Sequence, residues 1–133
     1  MNPHYEEVAL RAGRRCEYCH APEAVFNLPL EVEHIVPVSR NGGDTSTNWA
    51  LACRACNLYK AAHVNGSDPR SQEIVRLFQP RMDQWEDHFQ VVAESGAIEG
   101  LTPIGRATVL CLGMNSSAQI TARRQWMRLK LFP

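Results

Sequence analysis

Cys16-x2-Cys19 and Cys53-x2-Cys56 are two CxxC pairs with 33 residues between them. Zinc accepts four thiolates in a tetrahedron, and each pair offers two of them from one tight turn, so the four sulfurs together suit a zinc ion that ties two distant segments. A closed site of this kind keeps no position open for substrate, and its binding energy is folding energy. A redox CxxC needs a βαβ setting that neither pair has, and a set of reduced core cysteines would require two motifs to coincide. The N-terminal stretch lacks the apolar run of an export signal, which predicts a cytoplasmic protein whose thiols stay reduced. Cys111 falls in an apolar helical pattern and reads as a small core residue, while His20, beside Cys19, could replace a cysteine ligand but is not needed where four thiols suffice.

Between the pairs stand Glu33-His34-Ile35-Val36-Pro37, Gly42-Gly43-Asp44 and Asn48, and the second pair continues as Cys53-Arg54-Ala55-Cys56-Asn57 with Lys60 behind it. In this order the set resembles the HNH endonuclease family over residues 14–63. The resemblance implies a ββα-metal core, cleavage of phosphodiester bonds in nucleic acid, most readily double-stranded DNA, with a divalent ion, and 5′-phosphate and 3′-hydroxyl ends. The stretch from Leu77-Phe78-Gln79-Pro80-Arg81 through Trp85 and His88-Phe89 to Gly105-Arg106-Ala107-Thr108 also resembles a C-terminal extension of small bacterial HNH proteins.

By that resemblance His34, Asn48 and Asn57 form the catalytic set. Glu33 takes the place of an acidic metal ligand, Asn57 completes the catalytic metal site, and Asn48 braces the loop and orients His34. Elementary chemistry makes His34 the candidate general base and agrees with the metal site. Phosphodiester hydrolysis needs a base for water and a cation for the charge that develops on phosphate and leaving oxygen. An ordinary imidazole, with a pKa of about 6.5, is mostly neutral at physiological pH and suits the first task. A carboxylate with an amide oxygen makes a hard site that favours Mg²⁺ or Mn²⁺. Lys60 lies within about 60° of Asn57 on a helix, and Arg54 lies at a similar angle on its other side, so both are candidate phosphate contacts. One geometric demand follows from strand periodicity: Glu33 and His34 point to opposite faces, so they share a site only through a distorted strand end near Pro37 or a cation reached around the edge. His63 reads as an exposed or hydrogen-bonded histidine and His88 as part of packing.

The elements that would position these groups are legible in outline. Asn2-Pro3 and the spacing of Tyr5, Val8, Ala9 and Ala12 predict a helix that Gly13 ends. Alternation around Leu28, Leu30, Val32 and Ile35 predicts a strand, Ser39 to Thr47 a polar loop, Trp49 to Ala52 a return strand and Arg54 to His63 a helix. Beyond it we expect a turn at Asn65, Gly66, Asp68 and Pro69, a strand over Glu73 to Phe78 and a short helix over Asp83 to Phe89. A hairpin of Gln90 to Val92 with Ala97 to Glu99 should follow, then a helix after Thr102-Pro103 and a last helix capped by Ser117.

The chain has 133 residues, 44% of them hydrophobic and 21% charged, which suits one α+β domain, residues 1–133, made of a 14–63 core with residues 64–133 packed on it as an extension. No apolar run approaches the roughly 20 residues of a membrane helix. Formal charge is zero, so only distribution can favour nucleic acid; Arg123, Arg124, Arg128 and Lys130 form a basic C-terminal tail free of acids. The cofactors expected are a structural Zn²⁺ at Cys16, Cys19, Cys53 and Cys56 and a catalytic Mg²⁺ or Mn²⁺. A single cutting centre would need two visits or a homodimer to cut both strands. The competing reading is a zinc-stabilised nucleic-acid-binding or structural module without catalysis.

Overall fold

Side chains alternate along a strand, and in the hairpin at the centre of this protein both faces are covered. The computed structural model describes all 133 residues, and in it β1 (Glu31–His34) pairs antiparallel with β2 (Trp49–Ala52) in the register Glu31↔Ala52 to His34↔Trp49. Glu31 and Glu33 therefore share a face with Ala50 and Ala52, while Val32 and His34 share the other with Leu51 and Trp49. Helix α1 (Tyr5–Arg11) and the residues before it cover the second face: His4 stacks on Trp49 at 4.3 Å, and Arg11 donates to the Trp49 carbonyl at 2.7 Å. The first face receives α2 (Arg54–Lys60). Cover on both sides is why every residue of β2 is buried.

Helix α2 begins where the sequence predicts and ends earlier. Cys53 caps it by accepting the Cys56 N–H on Sγ, and the chain leaves at Ala61 with φ +47°, short of His63. The strand expected from Leu28 is also shorter than read, because Leu28 and Pro29 are exposed and unpaired.

Two further antiparallel hairpins follow, β3 (Asn65–Ser67) with β4 (Ile74–Arg76) and β5 (Phe89–Val92) with β6 (Ala97–Gly100). Asn65 and Gly66 were expected to turn and instead form β3; the turn itself starts at Asp68, whose carboxylate accepts Arg70 N–H and Ser71 Oγ–H. Helix α3 (Trp85–His88) leads into β5. Helix α4 (Pro103–Cys111) is capped by Thr102, as predicted, and α5 (Ser117–Arg128) by Ser116, one residue before the expected cap.

A continuous apolar core runs through both halves of the chain, from Val8, Tyr18 and Leu51 to Phe78, Phe89, Ile98 and Met114. Cys111 packs against it, half-buried. Polar clamps reinforce the join: Trp85 Nε1 donates to the Tyr18 carbonyl at 2.8 Å, Arg81 pairs with Glu17, and His20 stacks on Trp85 at 4.0 Å. Segment 77–89 thus grips the turn that carries Cys16 and Cys19.

Candidate active site

The four cysteine sulfurs lie within 4.8 Å of one another, all buried, and none is in a disulfide. Cys19 Sγ and Cys53 Sγ are 3.7 Å apart, which matches the edge of about 3.8 Å that a tetrahedron with Zn–S bonds of about 2.3 Å requires. Cys16 Sγ and Cys53 Sγ each accept a backbone N–H, from Cys19 and Cys56. The donor set fits zinc and suggests a structural ion. His20 stays out of it, stacked on Trp85, where burial lowers its pKa.

The loop between β1 and β2 is built around Asn48. Its Oδ1 accepts Val36 N–H at 2.9 Å, and its Nδ2 donates to the Val36 and Gly43 carbonyls at 2.9 and 2.8 Å, so every hydrogen-bonding group of the carboxamide is spent on loop backbone. Gly42 completes the turn because a Cβ there would stand 1.7 Å from the Val36 carbonyl oxygen. Asn48 holds the loop but does not touch His34. The group that does is Asp44: its Oδ1 lies 2.9 Å from His34 Nε2 and also accepts Trp49 Nε1–H at 3.1 Å. These contacts, His34 first and Trp49 second, lower the Asp44 pKa. In the sequence Asp44 belongs to the Gly-Gly stretch of the motif but has no role of its own, because a loop aspartate after two glycines is ordinary turn composition.

On the opposite face of β1 the two glutamates divide. Glu33 is 6% exposed; its carboxylate accepts from Tyr18 Oη–H and from Lys60 Nζ at 3.1 Å. Burial raises the Glu33 pKa, with Lys60 and Tyr18 opposing. Lys60, 2% exposed, gives a second bond to the Ile35 carbonyl at 2.8 Å. It is an internal counter-ion here, not a surface cation, because the 3.6-residue repeat of α2 turns it inward over Glu33 while leaving Arg54 outside. Arg54 is exposed and reaches Glu31 at 3.3 Å. Asn57 Nδ2 donates to Glu31 Oε1 at 2.6 Å, so Glu31, which the sequence reading did not single out, is the carboxylate beside Asn57. The i, i+2 spacing of Glu31 and Glu33 on one strand was the available signal. Among Cys, His, Asp and Glu side chains only the four cysteines converge as a metal-holding group; His34 and Glu33 leave β1 on opposite sides, as alternation requires.

Residues 16–62 match the family model of HNH endonucleases. The chain carries an HNH domain. No curated protein and no solved structure matches the chain. The HNH domain spans both cysteine pairs, the β1–β2 hairpin and α2, which points to nuclease activity with a metal and to nucleic acid as the partner. No helix is long and apolar enough to cross a membrane.

The remaining candidates lie apart from the HNH domain's hairpin. His63 is exposed, and His88 packs on Phe78 and bonds Thr102 Oγ1 at 2.6 Å. Of the basic tail, Arg124, Arg128 and Lys130 are exposed, but Arg123 is fully buried, donating to the Gly96 and Met114 carbonyls at 2.8 Å beside the Phe132 ring.

Proposed function

We propose that the protein is a metal-dependent endonuclease that hydrolyses phosphodiester bonds in DNA, with His34 as general base. The observation that carries this reading is the HNH match together with an imidazole fixed at the rim of a braced loop. His34 takes a proton from water as the water oxygen bonds to phosphorus; the P–O3′ bond breaks, and the 3′ oxygen leaves with a proton from solvent. Asn57 would hold one Mg²⁺ or Mn²⁺ together with Glu33 once Lys60 is displaced from that carboxylate by the ion, with Glu31 already beside Asn57. A hard divalent ion there supplies Lewis-acid stabilisation of the leaving oxygen. Asn57 is suited to the part because its Nδ2 is occupied by Glu31, which leaves the carbonyl oxygen as the donor atom. Arg54 is the phosphate contact on this face; Lys60 takes part only by giving up Glu33.

The burial of Glu33 with Lys60 is the feature that would suit the non-catalytic module equally well. Cleavage separates the two. Zinc-loaded protein incubated with supercoiled plasmid and Mg²⁺ or Mn²⁺ should nick it, and His34→Ala, with zinc retained, should be slower by about 10² to 10⁴-fold. Equal nicking by both proteins, or by neither, would leave the binding module as the better account.

A further inference from the structure

We propose that Asp44 is the positioning residue of the His34 base, holding the imidazole through Nε2–H and leaving Nδ1 as the nitrogen that receives the proton. The inference rests on the nuclease reading for its catalytic consequence and on geometry for the rest. An ionised carboxylate has no proton to give, so in the 2.9 Å contact Nε2 must be the donor. A neutral imidazole carries a single N–H, and Nδ1 is then the acceptor nitrogen. The lowered Asp44 pKa agrees with a carboxylate that stays charged.

Side-chain exposure of Asp44 is 79%, and a lone surface aspartate would be a poor orienter. Two independent constraints make the difference. Asp44 Oδ1 is held from a second side by Trp49 Nε1, and Trp49 is itself buried under His4 and cross-strand neighbour to His34. The backbone just before it is fixed, because Asn48 Nδ2 bonds the Gly43 carbonyl and Gly42 sits where only glycine fits against Val36. A chain of fixed positions thus runs from Asn48 through Gly43 to Asp44 and His34. The orienting task that the sequence suggests for Asn48 is carried out at one remove, through the residue it places. Asp44 also faces the charge that appears on the ring when His34 takes the proton, which favours that step.

The test uses zinc-loaded full-length protein. In ¹⁵N-labelled wild type at about pH 8, His34, assigned by its loss in His34→Ala, should show a protonated Nε2 with slow solvent exchange and an unprotonated Nδ1. Asp44→Ala should lose the slow Nε2–H signal, and Asp44→Asn should keep it, since Trp49 Nε1–H selects the amide oxygen as the shared acceptor. With plasmid and Mn²⁺, Asp44→Ala should lower kcat by about 10 to 100-fold at unchanged KM and zinc content, with Asp44→Asn, which keeps the acceptor oxygen but not the charge, recovering part of the loss. A protonated Nδ1 in wild type, a slow Nε2–H that survives Asp44→Ala, or an unchanged kcat in Asp44→Ala would overturn the proposal. If the spectra behave as expected and wild type cuts nothing, the nuclease reading falls, and Asp44's catalytic consequence with it, while the tautomer assignment stands.

Discussion

Lys60 and Glu33 form an ion pair shut away from water, and such pairs behave asymmetrically. Removing one member strands the other charge in a low-dielectric interior, which costs about 3 to 5 kcal/mol, whereas replacing both by neutral groups is far milder. Lys60→Met should therefore lower the urea midpoint strongly, and Glu33→Gln with Lys60→Met should recover most of the loss; equal midpoints for Lys60→Met and wild type would show that the pair carries no such role. Sequence alone indicated that Glu33 and His34 diverge, because alternation fixes that. It did not indicate which face Glu33 takes, since α1 and α2 cover both faces of β1 and burial has no preferred side. The same limit hid Arg123. Its neighbours Arg124, Arg128 and Lys130 are solvated, and nothing in the charge pattern reveals that one arginine of the four caps carbonyls inside the core.

At the scale of elements, capped and glycine-ended segments were readable and unpatterned ones were not. Thr102-Pro103 and Cys53 announce α4 and α2 because the capping side chain is itself the signal. Strand β3 escaped because Asn65-Gly66-Ser67 has turn composition; it is a strand by virtue of its pairing with β4 and the close approach of Gly66 to Leu77. That hairpin is tied to α4 by Asp68, which receives Arg106 in a two-pronged bond, Nε to Oδ1 and Nη2 to Oδ2, both 2.9 Å. The Arg106 contact first, then the Arg70 N–H and Ser71 hydroxyl, hold the Asp68 pKa well below the usual carboxylate range against the opposing effect of desolvation. A carboxyl depressed in the folded state contributes stability that is complete above its unfolded pKa of about 3.9 and is lost as pH falls through the folded value. Wild type should thus lose stability below about pH 4, and Asp68→Asn should be less stable at neutral pH yet decline less over the acid range. Parallel acid limbs for the two proteins in thermal melts would contradict this assignment.

For the molecule as a whole, the four-cysteine cluster is the point where distant parts of the chain meet. The knuckle at Cys16 and Cys19 is gripped from outside by Arg81 and Trp85, and the knuckle at Cys53 starts the helix that carries Asn57. Zinc removal by a strong chelator should therefore loosen the HNH domain and the C-terminal half together, in one transition, with a Tm lower by at least about 10 °C. Two separate transitions, with residues 64–133 melting unchanged, would show that the halves are independent. The deeper claim is that a phosphate at the unpaired edge of β1 meets the His34 imidazole from one face of the strand and the Asn57 carboxamide of α2 from the other. A crystal structure with Mn²⁺ and a short DNA duplex tests it most directly. The account predicts anomalous density for manganese at Asn57 Oδ1 and a scissile phosphate between that ion and His34; manganese bound elsewhere, or DNA seated with the imidazole turned away from its backbone, would contradict it.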